Sequence, residues 1–163
     1  MKYAVISIGL LFTGSVAKAA VPDSLKRPPN NISLHLLGHG TLSAVYYERL
    51  FQTGTQSFLA ASAGIGLTPQ LNFSENTSPP NVTVINHLTI TLGPKKGGFE
   101  VGVGGTWVND PYEPHYFVYP ILGFRIQPFS KNQLVFRGFI SYPFDGFSDL
   151  PYLPFGVSLG VTF

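Results

Sequence analysis

The last nine residues of the chain alternate strictly between bulky apolar side chains and small or polar ones. The bulky residues are Phe155, Val157, Leu159, Val161 and Phe163, and the residues between them are Gly156, Ser158, Gly160 and Thr162. Successive side chains of a β-strand point to opposite faces. The segment is therefore predicted to be a strand with one apolar face and one small face.

The amino end has the pattern of an export signal. Lys2 supplies a positive charge, residues 4–12 are apolar, and Ala17, Lys18 and Ala19 give small residues at the usual cleavage spacing. We predict a signal peptide over residues 1–20, cleaved near Ala19 or Ala20. Residues 21–30 are polar and rich in proline and are predicted to be a flexible lead-in, and residues 31–163 form one domain.

Composition excludes several classes of function. The chain has no cysteine, which excludes thiol chemistry, thiolate metal sites and a disulfide framework. Two of its ten Lys and Arg residues lie in the predicted signal, so eight basic residues remain beside eight acidic ones. This balance leaves no polybasic patch for nucleic acid or for an anionic membrane surface. Charged residues make up only 11% of the chain, whereas glycine, proline and aromatic residues are abundant.

Alternation with a period of two recurs along the rest of the chain. It predicts strands at 31–38, 41–51, 57–68, 82–93, 98–109, 116–128, 133–144 and 154–163. Short turns alternate with longer loops between them, which is typical of outer-membrane barrels with short periplasmic turns and longer outside loops. Both ends of the domain should lie in the periplasm, so the strand count is even. We therefore predict an all-β fold, a closed antiparallel up-and-down transmembrane β-barrel of eight strands.

Four ionisable residues of the strands, His87, Glu100, Arg125 and Arg137, lie on the face opposite to the apolar side chains, and Glu48 is expected to join them. Since an interior charge is costly without a partner, we predict a structural polar network inside the barrel. Its members are Glu48, His87, Glu100, Arg125 and Arg137. Glu100 is expected to pair with Arg125 or Arg137, and Arg49 to extend from the exterior to the lower membrane interface.

Aromatic residues gather at the predicted strand ends, as membrane-interface girdles require. The outer girdle is predicted to contain Trp107, Tyr112, Tyr116, Tyr142 and Tyr152, and the inner one Phe51, Phe58, Phe99, Phe129 and Phe163. Pro120 lacks an N–H donor inside the sixth strand, so a bulge or local break is expected there.

The domain resembles small outer-membrane β-barrel proteins of the OmpX and OmpA transmembrane-domain type. It is also similar to short uncharacterised barrel proteins that share a start motif, here Leu36 to Gly40 and Tyr47 to Phe51. The resemblance covers residues 31–163. It implies a fold and a compartment, the bacterial outer membrane, but no activity.

No catalytic constellation is evident. Hydrolysis of an acyl chain would need a serine, a histidine base and an orienting carboxylate. None of His35, His39, His87 and His115 is followed by serine two positions later. Ser33 precedes His35 by two, in the reverse order. We predict no catalytic residue, no metal site and no cofactor.

The favoured interpretation is a monomeric outer-membrane barrel with a structural or surface-interaction role and no open pore. Its expected partners are outer-membrane lipid, lipopolysaccharide and the barrel-assembly machinery, which would recognise the last strand, Phe155 to Phe163. One alternative is an outer-membrane enzyme that modifies lipid, such as a lipid A deacylase or acyltransferase. The other is a soluble lipocalin-like carrier, which would turn the same apolar faces inward.

Overall fold

A computed structural model of the protein describes residues 26–39, 41–68, 81–93, 96–109, 115–144 and 153–163. The predicted signal peptide, over residues 1–20, lies outside this part. The described residues form eight strands. They are β1 (Asn30–Leu36), β2 (Ser43–Gln52), β3 (Ser57–Thr68), β4 (Asn81–Leu92), β5 (Gly97–Val108), β6 (His115–Ile126), β7 (Leu134–Ser141) and β8 (Phe155–Thr162). They contain no helix long and apolar enough to cross a membrane.

Each strand pairs with its neighbours in sequence, and β8 pairs with β1, so the sheet closes into a barrel. All pairings are antiparallel. The prediction of a closed up-and-down barrel of eight strands is confirmed. Closure leaves no strand with a free edge, so every strand has a hydrogen-bonding neighbour on both sides.

The ladders differ in length around the barrel. Long ladders join β2, β3, β4, β5 and β6, and the β3–β4 and β5–β6 ladders each contain twelve residue pairs. The ladder between β6 and β7 and the one between β8 and β1 contain only six pairs each. The strands are therefore joined by more residue pairs on the side of β2–β6 than on the side of β7, β8 and β1.

The apolar rows of the strands point away from the barrel axis. The bulky residues of β8 are all exposed, from Val157 at 43% to Leu159 at 54%, whereas Ser158 and Thr162 are buried. The same division holds in β4, where Val82, Val84 and Leu88 are exposed and Thr83, His87 and Thr89 are buried. The period of two thus separates an apolar exterior from an interior rich in polar side chains.

The connection between β1 and β2 is a tight turn over residues 37–42. Leu37 N–H donates to the carbonyl oxygen of Leu42 at 2.9 Å, and Thr41 N–H donates to that of Gly38 at 3.0 Å. Leu37, Gly38 and His39 all have positive φ, at 64°, 77° and 55°. This left-handed backbone is costly for Leu37 and His39 but readily adopted by glycine. It turns the tip of the hairpin into the barrel.

Pro120 causes no bulge against β5, because the β5–β6 register runs unbroken through the pair Val103 and Pro120. The interruption lies on the other side. The carbonyl oxygen of Val118 accepts a hydrogen bond from the N–H of Phe144, which follows β7 in the chain. Backbone groups two residues apart in a strand point to the same neighbouring strand, so those of Pro120 also face β7. The β6–β7 ladder ends at the pair Ile121 and Ser141, next to Pro120. The expected break is therefore confined to the β7 side, where the missing donor faces.

The girdle predictions hold in part. Trp107, Tyr116 and Tyr142 are exposed at one end of the barrel, and Phe51, Phe99 and Phe163 are exposed at the other. Tyr112 and Tyr152 lie outside the described residues. Phe58, in contrast, is 1% exposed and points into the barrel, and Phe129 is half-buried. Both contact the side chain of Arg27, so they belong to the mouth of the barrel rather than to a girdle.

Candidate functional site

The interior of the barrel is the candidate site, because four charged side chains and two histidines of the strands are buried there. We call the end with the connections 53–56, 93–96 and 127–133 the turn end, and the opposite end the loop end. From the turn end upward, the described interior has a mouth, an ionic layer and a histidine layer. Each layer is built by inward residues of several strands.

The mouth at the turn end is occupied by residues before β1. Arg27 donates from its backbone N–H to Oε1 of Gln52 at 3.1 Å and from its guanidinium to the carbonyl oxygen of Gln127. Its guanidinium carbon lies 5.0 Å from the ring centre of Phe58 and 4.4 Å from that of Phe129. These are cation–π distances. The last residues of the predicted lead-in therefore pack against the barrel.

Arg27 keeps its charge in this mouth. Its partial burial, and to a lesser extent the positive charge of Arg125, lower the pKa of Arg27 to about 10. Since this value is still well above neutral pH, the guanidinium is positive under ordinary conditions. A cation within cation–π distance of two aromatic rings thus occupies the mouth.

The ionic layer contains two carboxylates and two guanidinium groups. Arg125 forms a bidentate pair with Glu48, in which NH1 donates to Oε2 at 2.9 Å and NH2 donates to Oε1. Arg137 donates to Oε1 of Glu100, and NH1 of Arg125 lies 3.8 Å from Oε2 of Glu100. All four side chains are at most 3% exposed. The layer therefore balances two negative and two positive charges away from water.

Neutral polar groups complete the ionic layer. Oε1 of Gln127 accepts from Nε of Arg125 at 3.0 Å and from NH2 at 2.8 Å. Nδ2 of Asn31 lies 3.3 Å from Oε1 of Glu48 and donates to it. These contacts supply part of the hydrogen bonding that a buried ion pair needs to offset its loss of hydration.

The structure places four of the five residues predicted for the polar network in this one layer: Glu48, Glu100, Arg125 and Arg137. Glu100 contacts both of the arginines proposed as its partners, and Arg137 is the nearer. The fifth residue, His87, lies in the layer above. Nε2 of His87 lies 3.0 Å from the hydroxyl oxygen of Tyr119.

The histidine layer brings together three imidazoles. The ring centres of His39 and His87 are 4.3 Å apart, and each lies 6.3 Å from the ring centre of His35. His39 stacks on Phe139, with ring centres 4.1 Å apart, and His35 stacks on Tyr46 at 3.8 Å. All three histidines are at most 4% exposed.

His39 is the residue that sequence reasoning missed. The turn folds its ring into the lumen, where it is 0% exposed. Hydroxyl Oγ1 of Thr106 donates to the carbonyl oxygen of His39 at 2.8 Å and thereby anchors the turn. The signal in the sequence is Gly38, which permits the left-handed backbone but does not tell in which direction the turn folds.

Acyl hydrolysis and metal binding are the two kinds of chemistry for which these histidines would be needed. Oγ of Ser33 lies 3.2 Å from Nε2 of His35, so the reversed serine–histidine pair is in hydrogen-bond contact, with both residues buried. His115 lies in β6, at its pairing with Val108. Over the described ranges, no three histidine or acidic side chains are arranged to hold a metal ion.

The predicted insertion signal lies outside these layers. Phe155, Val157, Leu159, Val161 and Phe163 all lie on the exterior of β8 or directly after it. They contribute to the apolar surface and not to the lumen. Comparison with known proteins finds no matching family model, no matching curated protein and no matching solved structure.

Proposed function

We propose that the protein is an outer-membrane β-barrel with a structural or surface-interaction role and no open pore. The observation that carries this proposal is the inversion of polarity in the wall. Large apolar side chains are exposed on all eight strands, while Glu48, Glu100, Arg125 and Arg137 are buried inside. In water such an exterior would be a large uncovered apolar surface, whereas in lipid it is the expected one.

The position of the charges favours a membrane barrel over a soluble carrier. A lipocalin-like carrier holds its apolar ligand in a cavity lined by apolar side chains. Here the centre of the barrel is instead occupied by ion pairs, such as that of Arg125 with Glu48. The bulky residues that would line a carrier's cavity, such as Leu159 and Phe136, are on the outside.

The filling of the described lumen supports a role without conduction. An eight-stranded barrel has an interior just wide enough to be filled by side chains. Arg27 occupies the mouth, the paired charges lie above it, and the stacked rings of His39 and Phe139 lie higher still. The outward contact surfaces would then be the loops at 69–81 and 145–153, most of which lies outside the described residues.

The proposal is tested by expressing the full chain in a Gram-negative bacterium and separating the cell into fractions. We expect the protein in the outer-membrane fraction, retained after a urea wash and released by detergent. We also expect the folded form to migrate differently from the boiled form on a gel, because a closed barrel resists detergent without heating. A known soluble periplasmic protein serves as the control. Release with that control, without detergent, would contradict membrane residence and favour the carrier.

Residence in the outer membrane would bring the remaining partners with it. Lipopolysaccharide would meet the loop end, and the barrel-assembly machinery would recognise the last strand through Phe155, Leu159 and Phe163. We propose that the barrel acts as a monomer, because the pairing of β8 with β1 closes the sheet within one chain.

A further inference from the structure

The exposed charged side chains of the described residues are all of one sign and lie at one end. They are Lys26, Arg49, Lys96 and Lys131, and we call them the basic collar. Lys96 and Lys131 lie in the turns that precede β5 and β7, and Lys26 lies beside the mouth. The acidic side chains within the described ranges, Glu48 and Glu100, are both buried. The described charged side chains that are exposed at the turn end are therefore all positive, a grouping that the balanced overall charge of the sequence did not predict.

Arg49 differs from the three lysines in its location. It belongs to the outward row of β2, between Tyr47 and Phe51, which are 48% and 49% exposed. A charge on the lipid face of a barrel is costly near the middle of the membrane and much less so near its interfaces. Arg49 lies near the turn end of β2, where its side chain can extend to the interface.

The guanidinium of Arg49 is held in place by a neighbouring strand. Its NH1 donates to Oδ1 of Asn30 at 2.6 Å, and the hydroxyl of Tyr47 donates to the same oxygen at 3.0 Å. The ring of Phe163 lies 6.5 Å from that of Tyr47. This arrangement combines a fixed cation with aromatic rings of the kind found at the boundary between acyl chains and headgroups.

We propose that the basic collar docks the phosphate headgroups of anionic phospholipids in the leaflet around the turn end, with Arg49 as the principal contact. This inference rests on the proposed membrane residence. A guanidinium presents a planar fork of N–H donors that matches the oxygens of a phosphate, and the lysines add positive charge around it. Charge complementarity selects anionic headgroups over zwitterionic ones.

The test measures which lipids the purified full-length barrel retains. The protein is folded into vesicles of equal parts phosphatidylglycerol and phosphatidylcholine, extracted gently, and its bound lipids are counted by native mass spectrometry. We expect the wild type to retain mainly phosphatidylglycerol. Arg49→Gln should lower that preference about fivefold, and Arg49→Lys should restore part of it. Neutralising all four collar residues to glutamine should abolish it.

Asn86→Ala is the matched control, because Asn86 is another exposed polar residue of the exterior but accepts a hydrogen bond from Tyr116, towards the loop end. It should keep the wild-type preference. Equal retention of the two lipids by the wild type, or an unchanged preference in the fourfold variant, would overturn the proposal. So would loss of the preference in the presence of millimolar inorganic phosphate, which would identify free phosphate as the ligand.

The two proposals fail in different ways. Failure of the wild type to insert into vesicles of pure phosphatidylcholine would contradict membrane residence itself. Insertion into those vesicles without any preference in the mixed ones would contradict only the basic collar.

Discussion

At the scale of single residues, we expect removal of one of the four charges of the ionic layer to be the most costly change. Glu48 and Glu100 both contact Arg125, and Glu100 also contacts Arg137, so each charge has an opposite one beside it. A buried pair of this kind contributes little compared with apolar packing, but removal of one partner leaves an uncompensated charge away from water.

Glu100→Gln should therefore lower the free energy of unfolding by about 3–5 kcal/mol, because Arg137 loses the carboxylate it contacts. Urea unfolding of the refolded barrel in lipid vesicles, followed by circular dichroism, measures the change. Arg137→Gln added to Glu100→Gln removes the leftover charge and should recover part of the loss. A Glu100→Gln variant that unfolds at the wild-type urea concentration would show that the pair is not needed.

The partners within the ionic layer could be predicted only in outline. The alternation of residues predicts that Glu100, Arg125 and Arg137 face inward. In β2 the adjacent Glu48 and Arg49 must point in opposite directions, so the inward direction of Glu48 was a choice between the two. Glu48 on β2 and Arg125 on β6 are not on adjacent strands, however, and their pairing depends on how the strands stagger around the barrel. That stagger is a property of the closed sheet and is not visible in any one segment.

At the scale of the elements, Gly104 of β5 makes room for the histidine layer. A Cβ atom added to Gly104 would lie 2.4 Å from the ring of Tyr119 and 2.5 Å from that of His87. Real Cβ atoms do not approach other atoms so closely, so these rings occupy space that only glycine leaves free. Gly138, on the outward row of β7, has no atom within 4 Å of the same position.

These two glycines form a matched pair for mutation. Gly104→Ala should destabilise the barrel by about 1–3 kcal/mol, because Tyr119 and His87 must shift within a filled lumen. Gly138→Ala should be neutral or slightly stabilising, since its side chain meets open space and alanine restricts the unfolded chain. Thermal unfolding of both variants in the same detergent checks the contrast. An equal effect of both substitutions would show that the histidine layer is loosely packed.

All eight strands could be predicted from the sequence, because the outward rows of apolar residues are nearly unbroken. The connections were harder to predict. The inward fold of the β1–β2 turn depends on left-handed backbone at Leu37 and His39, which local propensity disfavours and tertiary contacts must stabilise. Phe58 was expected at a membrane interface but lies inside, where it contacts Arg27 and Arg125. Its inward position depends on contacts with two arginines that are distant from it in the sequence.

At the scale of the whole molecule, the stability of the barrel depends on the solvent around its apolar exterior. Leu159 lies on the apolar exterior of β8 and is paired with Leu34 of β1 and Phe136 of β7, which are also exposed. The three side chains form part of a continuous apolar belt. Their free energy depends directly on whether lipid or water surrounds the barrel.

Leu159→Arg tests this dependence. In a lipid bilayer the substitution should lower the free energy of unfolding by about 2–4 kcal/mol, because it puts a charge on the lipid face. Leu159→Ala separates the loss of apolar area from the introduction of charge and should cost less. Unfolding by guanidinium in vesicles gives both values. If Leu159→Arg were as stable as Leu159→Ala in the bilayer, the belt would not be in contact with lipid.

The unequal length of the ladders has a consequence for the order in which the strands assemble. Strands β2–β6 share the longest ladders, whereas β8 joins β1 through only six residue pairs. The strands with the long ladders can therefore hold their register as a curved open sheet before the barrel closes. The pairing of β8 with β1 is then the natural place for the final seam. Until that seam forms, β1 and β8 present unsatisfied amides to any neighbouring strand. The chain therefore stays open to pairing with its own copies up to the last step of folding.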